Sequence, residues 1–149
     1  MLARELAEEY PLVAVDTDAL EAARVLAVNR LPGLVVTDTD GSPYAVLPAS
    51  QVVRFVVPEY IREDPSLARV IEEEGADQIA RQLAGRRVRD LLPPKRPREL
   101  PLVRGDDTVL ELAALMAQLH SPLVAVVDDG NVVGVVTAAR LLAVGCGAA

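Results

Sequence analysis

Residues 123–140, LVAVVDDGNVVGVVTAAR, read as a strand, a tight turn, a second strand and the opening of a helix. Runs of Val on either side of Asp129-Gly130 are the signature of a two-residue hairpin, because both central positions of that turn favour residues that tolerate positive φ. Residues 34–51, LVVTDTDGSPYAVLPASQ, read the same way with the polar details changed. A hairpin feeding a helix has therefore been written twice, and the repeat governs every local reading.

Sliding the chain by 90 residues lays PLVAVDTDALEAARVLAVNRLPGLVV (11–36) on PLVRGDDTVLELAALMAQLHSPLVAV (101–126). Pro11 meets Pro101, Leu20 meets Leu110, Glu21 meets Glu111 and Pro32 meets Pro122. After a one-residue gap, Gly41 meets Gly130 and Val46 meets Val135. Each copy opens with a short β-prone run, Leu12–Val15 or Leu100–Val103. Asp18 with Glu21, and Thr108 with Glu111, have the capping-box spacing. Helices are expected from there to about Asn29 and His120, halted by Pro32 and Pro122. Strand, turn and strand follow at Leu34–Thr37 with Tyr44–Leu47 and at Val124–Val127 with Val132–Val136. Final helices are expected at Ala49–Val56 and Ala138–Gly145. The unit is β-α-β-β-α, twice. Roughly 45 residues build too little core to stand alone, so two sheets packed face to face about a pseudo-two-fold axis are expected.

Between the copies lies an insertion. A helix is expected to start at Asp64-Pro65, N-cap and first-turn residue types. Leu67, Val70, Ile71, Ile79 and Leu83 share one apolar side, with a bend at Gly75. Glu72-Glu73-Glu74 read as a solvated face. The arm either covers its own domain or a sister subunit, or docks a partner.

At 149 residues and 51% apolar content the chain suits one compact domain. Aromatics make up 3%, so the core is aliphatic and base-stacking platforms are not expected. Net charge is −7, which argues against a non-specific nucleic-acid surface. Eight of the fifteen basic residues nevertheless lie between Arg81 and Arg104. PPKRPRE at 93–99 reads as an exposed connector rather than a phosphate-backbone contact. The single Cys146 rules out an internal disulfide. His120 has no second His for a zinc site and no nucleophile partnered by a base. TDTDG at 37–41 puts Val36 and Leu47 where a calcium loop needs acids, and so is a hairpin turn. The N-terminus has no apolar signal region, and Arg140 interrupts the apolar tail. The expectation is a soluble cytoplasmic protein with no membrane insertion; an excess of Arg over Lys, fourteen to one, hints at a GC-rich bacterial genome.

The two β-α-β-β-α units, each with a Pro-led strand start, an acidic-Gly turn and a Gly-hydrophobic-hydrophobic-Thr exit in copy two, resemble a tandem pair of CBS domains, a Bateman module. The resemblance divides the chain into repeat 1 (residues 1–56), a helical insertion (57–86) and repeat 2 (87–149), together an α+β (α/β) fold. VRDLLP at 88–93 is similar to the usual lead-in of such a repeat, with RELAEE at 4–9 as its counterpart. It implies a regulatory module rather than an enzyme, with no required cofactor. Such pairs commonly bind adenosine nucleotides such as AMP or ATP in their clefts, dimerise through helices and act on a partner enzyme or transporter. A ligand-blind homodimeric scaffold is the alternative.

In the family the last helix opens with Gly-h-x-Thr-x-x-Asp, Thr holding phosphate or ribose and Asp the ribose hydroxyls. Copy two has Gly134, Thr137 and, in place of Asp, Arg140. Thr137 reads as the N-cap, on a helix end that favours anions. Arg140 opposes the helix dipole by about 0.3–1 kcal/mol; either it extends into solvent or a phosphate lies beside it. A ligand there is expected to run from Thr137 and Arg140 past Val103 and Arg104, with its base against Pro122 and Leu123. Copy one has Pro48 and Gln51 at the corresponding positions, so its cleft, with Val13 and Pro32, is expected to be degenerate.

Overall fold

The computed structural model describes residues 1–57, 59–66, 75–93 and 99–147. Copy one comprises β1 (Leu12–Ala14), α2 (Ala19–Asn29), β2 (Gly33–Thr37), β3 (Pro43–Pro48) and α3 (Ala49–Val56), preceded by the short helix α1 (Ala3–Leu6). The insertion contributes α4 (Glu59–Glu63) and α5 (Gly75–Leu83). Then come α6 (Val88–Leu91), β4 (Leu102–Arg104), α7 (Val109–Leu119), β5 (Leu123–Asp128), β6 (Asn131–Thr137) and α8 (Ala138–Gly145).

Local chemistry accounts for the ends of these elements. The Asp18 carboxylate accepts from Glu21 N at 3.2 Å. In copy two the reciprocal box closes, with Glu111 N donating to Thr108 Oγ1 and Thr108 N to Glu111 Oε2, at 3.2 and 3.1 Å. Arg30 and His120 end α2 and α7 in the left-handed region, at φ 51° in both. Asp129 and Gly130 turn the second hairpin with φ of 53° and 79°, the primed-turn geometry that suits strand twist.

Two three-stranded sheets result, ordered β1-β2-β3 and β4-β5-β6. In each the first pair is parallel and the second antiparallel, with a register shift at Val36/Thr37 and at Val126/Val127. Alternation along a strand sends neighbours to opposite faces. Leu34 and Val36 face the helices of copy one, whereas Val124 and Val126 face those of copy two. Val35, Leu123, Ala125 and Val135 form a separate cluster between the sheets. All five residues of β2 are buried as a result. The two flat sides are mutually buried, as the repeat predicts.

The short lead-in helices are exchanged. α1 begins the chain but covers copy two, with Ala3 and Leu6 in the cluster of Val103, Leu112 and Val136. α6 precedes copy two in sequence but covers copy one, with Val88 and Leu91 packed among Val13, Leu34 and Leu47. Backbone bonds repeat the exchange in pairs. Ala3 N donates to Asp107 O and Arg4 N to Gly105 O, at 2.8 and 3.0 Å. Val88 N donates to Thr17 O and Arg89 N to Val15 O, at 2.9 and 3.1 Å.

The insertion adds α4, which ends before Asp64. The Asp64 carboxylate accepts from Ser66 N and Oγ, the N-cap contact that fits a start at Asp64-Pro65, and residues 65–66 form a 3-10 turn. Leu67, Val70, Ile71 and Glu72-Glu73-Glu74 lie outside the described residues, as do residues 94–98 of the basic connector. Gly75 opens α5, which packs on α2 and α3; Leu83 is buried and Ile79 half-exposed. The Arg86 guanidinium lies 5.9 Å from the Phe55 ring centre, within cation–π range.

Candidate functional site: two clefts at the sheet-to-helix handovers

Each cleft is assembled from both copies. One, of about 510 Å³, combines Pro48 and Gln51 from the handover of copy one with His120, Ser121 and Pro122 from the α7–β5 corner of copy two. Tyr44, Arg89 and Glu99 add polar groups, and Val46, Leu92, Pro101 and Leu119 add apolar wall. The other, of about 620 Å³, combines Val135, Thr137 and Ala138 with Arg30, Leu31 and Pro32 from the α2–β2 corner, and with Glu8, Glu9 and Tyr10. Pro122 lines both. A face-to-face pair with a two-fold axis brings the handover of one copy beside the helix–strand corner of the other.

The predicted site residues therefore separate. Thr137 shares its cleft with Pro32 and Pro122; Pro48 and Gln51 share theirs with Pro122. Val13 and Val103 are core residues at 8% and 7% exposure, facing the helices of their own copies. Leu123 is fully buried between the sheets. Arg104 points outward, its Nε 3.4 Å from the Asp106 carboxylate, with its backbone N donating to Asp107.

Gly134 does allow a close approach, and the chain itself makes it. A Cβ there would lie 2.8 Å from Ala7 Cβ and 3.0 Å from Glu8 O. The Glu8 and Val135 backbones exchange two hydrogen bonds of 3.0 and 2.9 Å across that contact. Gly134 thus admits the exchanged N-terminal segment, which no local pattern could have named.

The residues three along each final helix act alike despite their different chemistry. Arg140 Nε donates to Leu6 O at 3.3 Å and lies 3.7 Å from a Glu8 carboxylate oxygen. Gln51 Nε2 donates to Leu91 O at 3.3 Å. Leu6 and Leu91 are the last residues of α1 and α6, whose terminal carbonyls lack partners within so short a helix. Each final helix therefore holds down the lead-in helix that crossed from the other half. For Arg140 neither sequence alternative describes this contact: its side chain is 32% exposed and its Nε is turned to the N-terminal segment. Thr137 acts as the expected N-cap, accepting from Arg140 N at 3.1 Å.

The electrostatics of the clefts differ. The Thr137 cleft is lined by two carboxylates, Glu8 and Glu9, and one cation, Arg30. Tyr10 donates to Gly33 O at 2.5 Å, and its burial raises the phenol pKa above the ordinary value. The Pro48 cleft carries Arg89, ion-paired with Asp16 at the surface, together with His120 and a single wall acid, Glu99. Among the described residues no group of three or more His, Cys, Asp or Glu is arranged to hold a metal. No helix among them is long and apolar enough to cross a membrane.

Two opposed β-α-β-β-α halves with a cleft at each handover define a CBS pair. The family model for the CBS domain matches residues 88–146, the copy whose handover keeps Gly134 and Thr137. A CBS domain-containing protein of unknown function from Kribbella flavida is 57% identical, with 98% of this chain and 99% of that one covered and a TM-score of 0.86. An uncharacterised protein of Methanocaldococcus jannaschii is 27% identical over 95% of this chain and 89% of its own length. The structure of CBSX2 in complex with AMP has the same fold, with a TM-score of 0.68 at 17% identity, covering 99% of this chain and 97% of that one. The chain belongs to the CBS-domain family and is a CBS-pair protein.

Proposed function

We propose that this CBS pair is a regulatory module, not an enzyme, which binds an adenosine-type nucleotide and passes its occupancy to a partner enzyme or transporter. The observation that carries the reading is the composite wall of each cleft. A ligand there touches a handover, the opposite copy's corner and the chain beside an exchanged lead-in, so its binding energy bears on how the halves and their lead-ins sit together. Both volumes fall in the range of small-molecule sites, about 300–1,000 Å³. CBSX2, a protein of the same fold, has been captured with AMP.

The sequence centres the ligand on Thr137; charge favours the cleft of Pro48, Gln51 and His120. A phosphate beside Glu8 and Glu9 meets like charge in a partly desolvated setting, where repulsion costs more than in water. In the Pro48 cleft a phosphate finds Arg89 and the Ser121 hydroxyl, and a base finds Val46, Leu92, Pro101 and Pro122. Titration calorimetry of the full chain with AMP and ATP tests this. Binding is expected, weakened at least tenfold by Arg89→Ala or His120→Ala and little changed by Thr137→Ala. The Arg89–Asp16 pair is exposed and worth at most about 1 kcal/mol, so Arg89→Ala should fold normally. Thr137→Ala abolishing the heat while Arg89→Ala leaves it would return the ligand to the cleft the sequence named.

A second reading rests on Gln51 and Arg140. Both side chains at the family's ribose position bond to the chain's own carbonyls, which suits a homodimeric scaffold that binds no nucleotide. No heat, and no thermal shift at nucleotide concentrations where a hundredfold excess over the dissociation constant adds about 2.7 kcal/mol, would favour that scaffold. In both readings the working unit is a homodimer.

A further inference from the structure

The two clefts have corresponding walls, but their charges differ. The repeat register pairs Arg30 with His120, Pro32 with Pro122 and Glu9 with Glu99, and each member of a pair lines a cleft. The lead-in helices break the correspondence. Arg4-Glu5-Leu6 of α1 matches Arg89-Asp90-Leu91 of α6. Glu5 and Asp90 close the same cap, accepting from Leu2 N at 2.6 Å and from Arg87 N at 2.9 Å. Leu6 and Leu91 are both buried. In that register Glu8 stands where the other copy has Pro93, and each of the two lines its own cleft. Arg89 lines the Pro48 cleft, whereas the Nε of its match, Arg4, donates to Gly105 O at 3.1 Å. Relative to its twin, the Thr137 cleft has lost a cation and gained a carboxylate.

Glu8 is fixed in that place. Its backbone exchanges hydrogen bonds of 3.0 and 2.9 Å with Val135, two residues before Thr137 on β6. Two residues further on, Tyr10 donates to Gly33 O on copy one. The segment is thus pinned to both halves, and its side chains form part of the cleft wall. The Glu8 carboxylate lies 3.7 Å from Arg140 Nε, and so already serves as the counter-ion of the one cation on α8. A phosphate beside Thr137 meets that carboxylate next to the apolar wall of Leu31, Pro32, Pro122 and Val135, where like charges are poorly screened.

We infer that Glu8 is a specificity-determining residue that bars phosphates from the Thr137 cleft, so that the chain takes a single nucleotide, in the Pro48 cleft. This rests on the nucleotide-binding reading above. Glu9 does not share the role, because its match Glu99 lines the cleft that binds. Neutralising Glu8 leaves Arg30 in the wall and Arg140 without its counter-ion, which opens a second anion site.

Titration calorimetry of the full chain with AMP tests it, with thermal melting as the folding control. Wild type is expected to bind one AMP per chain and Glu8→Gln two. The second event should be at least tenfold tighter than any that wild type shows beyond its first. Glu9→Gln should stay at one. Glu8→Gln combined with Arg30→Asn should return to one, which assigns the new event to the Thr137 cleft; asparagine suits the left-handed backbone at position 30. The Glu8 side chain is 57% exposed and its ion pair is a surface one, so Glu8→Gln should melt as wild type does. One site in both wild type and Glu8→Gln, or two in wild type, overturns the role of Glu8 and keeps the nucleotide reading. Heat from Glu8→Gln with none from wild type keeps that role and overturns the nucleotide reading for the native chain. No heat from either overturns both.

Discussion

Removing residues 1–8 should unfold the half of the molecule farther away in sequence. The deleted segment adjoins β1, yet Ala3 and Leu6 are 0% and 1% exposed inside the copy-two core. Its backbone also makes five hydrogen bonds to copy two, through Met1, Ala3, Arg4 and twice through Glu8. Loss of a fully buried Leu alone costs about 2.7–5.0 kcal/mol, and each hydrogen bond about 0.5–1.5 kcal/mol net. Their sum rivals the whole stability of a small domain, about 5–15 kcal/mol. The truncated chain should therefore lose its cooperative melt. Under stabilising conditions, amide protection should fall first at Val124, Val126 and Val136. Loss of protection confined to β1–β3 would contradict the exchange.

Leu91→Ala should be the mirror experiment. Leu91 is fully buried in the cluster of Leu34 and Leu47, on the copy that precedes it by more than thirty residues. The substitution should cost about 2.7–5.0 kcal/mol, measured by urea denaturation. Protection should be lost first at Leu34, Val36 and Leu47 of copy one rather than in the copy that α6 adjoins. Leu92→Ala is the natural control, since that side chain only borders the same cluster and the cleft. Equal costs at both positions would mean that α6 does not plug the copy-one core as described.

The elements were legible because their signals are local. Both final helices fall at their expected bounds, Ala49–Val56 and Ala138–Gly145, since a sheet exit and a run of helix formers mark the first and a Thr N-cap the second. The face-to-face arrangement was legible because the repeat splits the chain into two units, each too small to bury its sheet alone, so the two flat sides must cover one another.

The exchange was not legible. α1 and α6 have four residues each, too few to show a helical period. Their contacts span up to about a hundred residues, as between Arg4 and Gly105. A reader of Gly134 learns that something comes close but not that it is Ala7. The composition of the clefts failed to show for the same reason. Thr137 and Pro32, or Gln51 and His120, are neighbours only through the axis that relates the halves. One missed signal was available: Arg30 and His120 are matched positions directly before the Leu31-Pro32 and Ser121-Pro122 corners, and both line clefts.

The same geometry makes regulation physically reasonable. Gln51 and Arg140 tie the final helices, which open at the clefts, to the lead-ins that cross between halves. A ligand that draws either side chain toward itself releases a carbonyl of the exchanged helix, a differential contact of the kind that can bias a two-state element.

The central claim is that two thin halves, clasped by exchanged lead-ins and fused through their flat sides, form a single cooperative unit. Cutting the chain at Gly85, an exposed loop position with φ 74°, and expressing the pieces separately tests it most directly. Residues 1–85 then lack α6 and carry an α1 with nothing to cover; residues 86–149 lack α1. Each piece alone should show no cooperative thermal transition, and an equimolar mixture should recover one. A cooperative melt from either piece as a lone monomer would contradict the account.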